Sequence, residues 1–240
     1  MTYEQVKEDE AVRVYIDQAD ASLKALGFTE HSFQHVTRVA QTAGWILETL
    51  GYPERTVELV KIAGYLHDIG NVVNRVDHSQ SGAVMAFRIL DRMNFPPEEI
   101  AAIVTAIGNH DEGTGQPVSA FAAALILADK SDVRRSRVRD KATVALDIHD
   151  RVNYSVTDCH LEFDEQHTSI RLILTVDTEL GSVMENLEIF MKRMLLCQKA
   201  AQALGEEDTP FLRTLADRKS RLSPQKIGRY GQLQEWYYDF

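Results

Sequence analysis

The chain has 240 residues and an apolar content of 44%, which suits a soluble globular protein with one core or one domain plus an appendage. A net charge of −10 argues against general binding to duplex nucleic acid, and only two cysteines argue against a disulfide framework or a thiolate zinc site. The acidic start MTYEQVKEDE is unlike a signal peptide, and no apolar run approaches the roughly 18 residues of a membrane span. We therefore expect a cytoplasmic protein without a membrane partner.

Residues 4 to about 140 show helical patterning, because apolar residues recur at spacings of three and four. Glycines typical of helix ends and prolines typical of helix starts separate the segments, at Gly27, Gly51, Pro53, Pro96 and Pro97. The sequence predicts an all-α domain over residues 1–140.

The apolar period changes to two between residues 150 and 177, where Val152, Tyr154 and Val156 alternate with polar residues. This pattern predicts a β-hairpin, and the polar residues 164–167 are its expected turn. The overall fold class is thus predicted to be mainly α, a helical bundle with a small β-hairpin plus helix appendage.

A capping box formed by Ser182 and Glu185 predicts a helix that runs to Gly205 and completes the appendage, residues 141–205. Residues 206–240 are predicted to be a separate tail, and four aromatic residues lie near its end: Trp236, Tyr237, Tyr238 and Phe240. A docked or frayed segment is expected, whose aromatic side chains could pack on the hairpin or on a second subunit of a homodimer.

A set of histidines and aspartates in the helical part carries the chemistry, in the order His35, His67, Asp68, His78, His110 and Asp129. First-row divalent metals accept imidazole and carboxylate together, and helical bundles build such sites from facing helices. Apolar neighbours, as in GYLHDIG, would make the burial of unpaired polar groups costly, and a bound cation would remove that cost.

Several histidines, including one of this set, allow interpretations other than metal binding. Beside Asp77 and at a predicted helix start, His78 could serve as a capping residue instead of a ligand. His31 lies one turn before His35, on the same helix face, and is expected to contact a ligand or the substrate rather than the metal. Three histidines have no companion pattern and are predicted to lie at the surface, namely His149, His160 and His167.

Over residues 30 to 137 this pattern resembles the HD superfamily, whose signature is a histidine, a His-Asp doublet and a distant aspartate. His35, His67, Asp68 and Asp129 match the signature, and His78 and His110 match the two extra histidines of its dinuclear members. The stretches DHSQSGAVMA, AIGNHDEG and ILADKSDVRR look most like bacterial HD phosphohydrolases. Departures from the HD-GYP motif at Asn71, Asp111 and Gln116 argue against cyclic-di-GMP as the substrate.

The resemblance implies a metal-dependent phosphohydrolase that acts on a nucleotide or another small phosphate ester. It implies one or two divalent ions, with Asp68 as the bridge in the dinuclear case, and iron or manganese is expected ahead of zinc, cobalt or nickel. Asp111 and Glu112 are candidates for the general base.

A basic run follows Asp129, with five cations among the eight residues RRSRVRDK that end at Lys141. Lys130, Arg134 and Arg135 are the predicted phosphate-binding residues, and Lys130 is also a candidate catalytic residue. Arg137 and Arg139 could equally belong to a solvated helix face.

Two other functions remain open at the level of sequence. Some HD proteins of similar ligand order activate dioxygen at a di-iron centre, and a metal-bound regulatory or sensor module would use the appendage as a partner surface. In the tail, IGRYGQLQEW resembles a segment of the helical-barrel α-L-fucosidases. Because that match covers about 35 residues, and a domain needs roughly 100, no glycosidase activity is inferred.

Overall fold

The computed structural model describes residues 1–139, 144, 148–206, 221–230 and 233–240. The chain forms two compact units, Met1–Asp129 and Lys130–Phe240. The first unit is helical and the second combines helices with an antiparallel sheet, so the predicted class, mainly α with a small β appendage, is confirmed. No helix in the described part of the chain has the length and apolarity needed to cross a membrane.

Seven α-helices build the first unit, and their sequence punctuation agrees with the prediction. Gly27 and Gly51 have φ angles of 82° and 78°, the left-handed conformation that ends a helix. A short 3₁₀ helix follows α4. The bounds are α1 Tyr3–Glu8, α2 Glu10–Ala25, α3 Phe33–Thr49, α4 Glu54–Leu66, the 3₁₀ helix Ile69–Val72, α5 His78–Arg92, α6 Pro97–Gly108 and α7 Ala120–Lys130.

Two glycines allow the elements that carry the site to approach closely. A Cβ on Gly64 of α4 would lie 2.7 Å from the Cα of Ala40 in α3. A Cβ on Gly70 of the 3₁₀ helix would lie 1.9 Å from the backbone oxygen of His78 in α5. The backbones of these elements are therefore nearly in contact, which brings the side chains at their ends together.

The second unit contains a four-stranded antiparallel sheet in the order β1-β2-β4-β3. The predicted hairpin turn is confirmed, because Asp164 accepts backbone hydrogen bonds from His167 and Thr168. The elements are a 3₁₀ helix Arg135–Arg137, α8 Ile148–Ser155, β1 Val156–Phe163, β2 Ile170–Asp177, α9 Val183–Glu206, β3 Arg221–Tyr230 and β4 Leu233–Asp239.

The start of the predicted hairpin is wrong, because Val152 and Tyr154 lie in α8 and not in a strand. The fully buried pair Val152 and Ser155 has helical spacing, and the amide of Asn153 donates to the backbone oxygen of His149. A short alternating apolar run fits a helix face as well as a strand face, and here the helix forms.

The capping box that begins α9 is confirmed. The backbone N–H of Glu185 donates to the Ser182 hydroxyl, and the Glu185 carboxylate accepts from the backbone N–H of Ser182. Arg151 of α8 adds an ion pair to the same carboxylate at 2.7 Å. This pair ties α8 to the start of α9.

The predicted tail contributes β3 and β4, so the sheet has four strands where only a two-stranded hairpin was predicted. β4 pairs with β2, and the backbone N–H of Phe240 donates to the Ile170 oxygen. The rings of Tyr238 and Phe240 are buried and stacked, with centroids 6.3 Å apart. Of the predicted alternatives, the structure therefore shows a docked segment that packs on the hairpin.

Candidate metal centre

The structure brings all of the sequence-predicted ligands into one cluster inside the first unit. Each ligand lies at or near the end of an element, where the chain can turn its side chain inward. His35 lies in the first turn of α3 and Asp129 in the last turn of α7, whereas the others flank helix ends: His67 and Asp68 after α4, His78 at the first position of α5, and His110 after α6.

One half of the cluster is formed by His35, His67 and Asp129. The Nε2 atoms of His35 and His67 lie 3.3 and 3.6 Å from Asp129 Oδ1. The same two nitrogens lie 3.5 and 3.2 Å from Asp68 Oδ2. Both imidazoles are fully buried, so their two Nε2 atoms and one oxygen from each carboxylate lie close together away from solvent.

The other half contains His78 and His110, whose Nε2 atoms lie 3.2 Å apart. His78 Nε2 lies 3.5 Å from Asp68 Oδ1, the carboxylate oxygen that faces away from the first half. Asp111 Oδ1 lies 3.9 Å from the same nitrogen, and its side chain is 26% exposed. Asp68 therefore presents one oxygen to each half of the cluster.

Backbone carbonyls orient three of the imidazoles. The Nδ1 atoms of His67, His78 and His110 lie 2.7, 3.1 and 2.6 Å from the backbone oxygens three residues earlier. An Nδ1–H that donates to a carbonyl leaves the Nε2 lone pair directed into the cluster, as metal-binding histidines require. The rings are therefore oriented with Nε2 toward the cluster, and loss of the Nε2 proton would leave each in the tautomer of a ligand.

A divalent ion fits this donor set. Within the described residues, neither His67 Nε2 nor Asp68 Oδ2 makes a hydrogen bond, although both atoms are buried. A buried polar atom without a partner is costly, and a cation between the two atoms would satisfy both once His67 has lost its proton. The ligand atoms of His35, His67 and Asp129 lie within 4.8 Å of one another, as do those of His67, Asp68 and His110.

Metal binding at this centre is expected to release protons. Burial lowers the pKa of His67, but the carboxylates of Asp68 and Asp129 raise it further, to about 10 in the metal-free protein. His67 is then protonated at pH 7.5 and must lose its proton to ligate. Calorimetric titration with Mn²⁺ in Hepes and in Tris at pH 7.5 should therefore show about one proton or more released per ion, with apparent affinity rising as the pH is raised. Equal heats in the two buffers would show that His67 is already neutral.

Comparison with known proteins agrees with this arrangement. The family model described as HD domain matches residues 32–154, just over half of the chain. The chain belongs to the HD-domain family. An uncharacterised protein of Methanocaldococcus jannaschii is 26% identical to the chain over 209 residues, which cover 77% of this chain and 80% of that protein. No solved structure matches the chain.

Family membership places the protein in a superfamily that consists mostly of metal-dependent phosphohydrolases. The matched region contains every predicted ligand, from His35 to Asp129. The HD domain and its His/Asp cluster thus support divalent metal binding. Imidazole and carboxylate ligands suit several first-row divalent ions.

The remaining histidines of the HD-domain protein lie in two settings. His31 packs edge-on against His35, with ring centroids 5.3 Å apart, and its Nδ1 lies 2.7 Å from the Thr29 oxygen. This contact suits the predicted supporting role. Of the three predicted surface histidines, His149 and His160 are exposed and His167 is half-buried at the hairpin turn.

The predicted phosphate-binding cations belong to the second unit, and the two arginines have partners there. Arg134 donates from Nε and Nη2 to Asp132 at 2.5 and 3.0 Å. Arg135 donates to the Tyr154 backbone oxygen and lies 3.5 Å from Asp177. Lys130 is buried as the last residue of α7, Arg137 donates to the Asp132 backbone oxygen, and Lys141 lies outside the described residues.

Two residues beside the HD doublet were not predicted as part of the site. The amide nitrogen of buried Asn71 donates to the backbone oxygen and to Oδ1 of Asp68, at 2.9 and 3.0 Å. Asn71 therefore fixes the carboxylate that faces both halves of the cluster. Arg75 Nη1 lies 3.2 Å from His78 Nε2. Asn71 follows Asp68 by three positions, and Arg75 precedes His78 by three. A spacing of three residues brings side chains close together in a helical turn, so it was a signal in the sequence for both residues.

Proposed function

We propose that this protein is a metal-dependent phosphohydrolase that acts on a nucleotide or another small phosphate ester. The position of Asp68 carries the proposal, because its two oxygens face two separate sets of imidazoles. A carboxylate in this position suits a pair of divalent ions, and paired ions are common in enzymes that cleave phosphate esters.

The residues divide naturally between two ions. His35, His67 and Asp129 would hold the first, His78 and His110 the second, and Asp68 both. Bound divalent ions would supply Lewis acidity, which would lower the pKa of a bound water and offset negative charge on the phosphoryl group. The buried imidazoles and the Asn71 amide hold the donor atoms in place, so little reorganisation is needed when substrate binds.

Asp111 is the proposed general base. Its Oδ1 lies at the His78 side of the cluster, and its Oδ2 accepts the backbone N–H of Gly113 at 3.1 Å. That hydrogen bond holds the carboxylate with one oxygen directed toward His78. Because the side chain is partly exposed, a proton taken from the attacking water can pass on to solvent.

Phosphate release tests the proposal. Protein stripped with a chelator and reloaded with Mn²⁺ or Fe²⁺ should release phosphate from at least one member of a panel of nucleotides and sugar phosphates, and the stripped protein should not. Asp111→Asn should lower kcat by about 100-fold or more, the contribution typical of a general base, without changing the metal content. Elemental analysis and kcat measured on the same samples check both statements.

The variant Glu112→Gln serves as the comparison, because it changes the adjacent carboxylate in the same way. If Glu112→Gln loses activity and Asp111→Asn keeps it, the general base is Glu112 and not Asp111. Metal-dependent consumption of dioxygen without phosphate release would contradict the hydrolase and favour the di-iron oxygenase. Tight metal binding with neither activity would favour a regulatory module.

A further inference from the structure

We propose that Arg75 binds the phosphate group of the substrate at the His78 side of the metal centre. The inference rests on the proposed phosphohydrolase function and names a residue for it outside the basic run that follows Asp129. Arg75 lies in the turn between the 3₁₀ helix and α5, three residues before His78.

The guanidinium of Arg75 lies against the ring of His78. Its Nη1 is 3.4 Å from Nδ1 and 3.2 Å from Nε2 of that imidazole. The backbone oxygen of Arg75 is 3.1 Å from the same Nδ1, so the turn that orients the ligand also positions the cation. Arg75 is thus adjacent to the nitrogen that faces Asp68 and Asp111.

Among the residues that the structure describes, no carboxylate forms an ion pair with the guanidinium of Arg75. Its contacts within the described chain are the His78 ring and the face of Phe28, whose centroid lies 5.7 Å from the guanidinium carbon. By contrast, Arg55 pairs with Glu58 and Glu99, and Arg92 pairs with Asp9. The stacking on Phe28 holds the side chain without consuming its charge.

The guanidinium of Arg75 and a metal ion held by the adjacent ligands are two positive charges that can bind one anion together. An ion held by His78 and His110 would repel the guanidinium. A phosphate that contacts both the ion and Arg75 is attracted to each of them, and these two attractions offset the repulsion. The planar guanidinium presents paired N–H donors that match two phosphate oxygens. Arg75 is half-buried, so it remains accessible to a substrate from solvent.

The cations of the basic run are less suited to this task. Arg134 is held by Asp132 in a bidentate ion pair, and Arg135 is held by Asp177 and the Tyr154 backbone. Binding a phosphate with either residue would first require these contacts to break. Arg75 needs to give up only a weak contact with an imidazole.

Binding of inorganic phosphate to the Mn²⁺-loaded protein tests the proposal directly. Arg75→Gln should raise the phosphate Kd by about 10-fold or more, the effect of losing a hydrogen bond to a charged group, and should leave the metal content unchanged. Arg75→Lys should fall between the two, because lysine keeps the charge and loses the paired donors. Isothermal titration calorimetry and elemental analysis provide the two readouts.

Arg88→Gln is the matched control. Arg88 is an exposed cation further along α5, and the same change there removes an equal charge far from the cluster. Its phosphate Kd should equal that of the wild type. The proposal is overturned if Arg75→Gln binds phosphate like the wild type, if it loses metal, or if Arg88→Gln weakens binding equally.

The outcome is separable from that of the proposed function. If Arg75→Gln weakens phosphate binding but the wild type hydrolyses no ester in the panel, Arg75 is an anion-binding residue and the hydrolase proposal fails. If esters are hydrolysed and Arg75→Gln changes neither KM nor phosphate inhibition, the hydrolase stands and the role of Arg75 is overturned. When both proposals hold, Arg75→Gln should raise KM and the inhibition constant of phosphate by similar factors.

Discussion

Asp68→Asn is expected to abolish the proposed phosphohydrolase activity and to reduce the metal content to less than one ion per chain. Asparagine has the same shape, but it replaces one carboxylate oxygen with an NH₂ group and removes the negative charge. Both oxygens of Asp68 face imidazole nitrogens, at 3.2 to 3.5 Å, so either orientation of the amide directs N–H donors at one half of the cluster. Metal affinity should fall by more than the 10- to 100-fold that supporting residues contribute.

Asp77→Asn is the control for this result. Asp77 is an exposed carboxylate with a left-handed φ of 55°, which asparagine also adopts, and its side chain does not cap α5. This variant should keep wild-type metal content and activity. Full metal content in Asp68→Asn would show that the carboxylate does not ligate.

His110→Ala should lower the metal content from about two ions per chain to about one if the two halves of the cluster bind ions separately.

Gly70→Ala is expected to destabilise the protein by about 3 kcal/mol or more, at the upper end of overpacking effects. An added Cβ would lie 1.9 Å from the His78 oxygen and 2.4 Å from the Gly82 nitrogen. Both are backbone atoms, so no side-chain rotation relieves the clash and the 3₁₀ helix must separate from α5. Thermal unfolding should shift down by roughly 6 °C or more, and Mn²⁺ affinity should fall with it because Asp68 and His78 move apart.

Gly108→Ala makes the same change where there is room. A Cβ on this last residue of α6 would meet only the Ala83 Cβ, at the ordinary contact distance of 3.7 Å. Stability should stay the same or rise by up to about 1 kcal/mol, as for glycine replaced by alanine in a helix. An equal loss of stability in both variants would show that the close approach at Gly70 is not the cause.

The clustering of the candidate ligands could be predicted from the sequence, because they recur near the ends of the predicted helices. The His-Asp doublet ends one helix, and each later ligand recurs near another helix end within an apolar setting, so the fold leaves few ways to bury them apart. The alternative role of His78 as a capping residue could not be decided in this way. Its Nε2, 3.2 Å from that of His110, now favours the ligand over the cap.

What the sequence could not show depends on contacts between distant residues. The sequence shows the positive charges that follow Asp129, but it does not show that Asp177, 42 positions beyond Arg135, pairs with Arg135 in the fold. Arg75 stands alone in an irregular segment, and only the turn before α5 places it against His78. The strand order likewise depends on β4 inserting beside β2, which no local pattern reveals.

The carbonyls that orient His67 and His110 belong to Gly64 and Ile107, in the last turns of α4 and α6. The final carbonyls of a helix have no partner within it, and together they carry the negative end of the helix macrodipole, equivalent to roughly half an electron charge. The N-terminal ends of α3 and α5, which carry His35 and His78, lie at the same centre with the opposite sign and offset this charge. The contribution of the two carbonyls is therefore local, because a hydrogen bond accepted from Nδ1–H makes Nε2 of the same ring a stronger ligand for a cation.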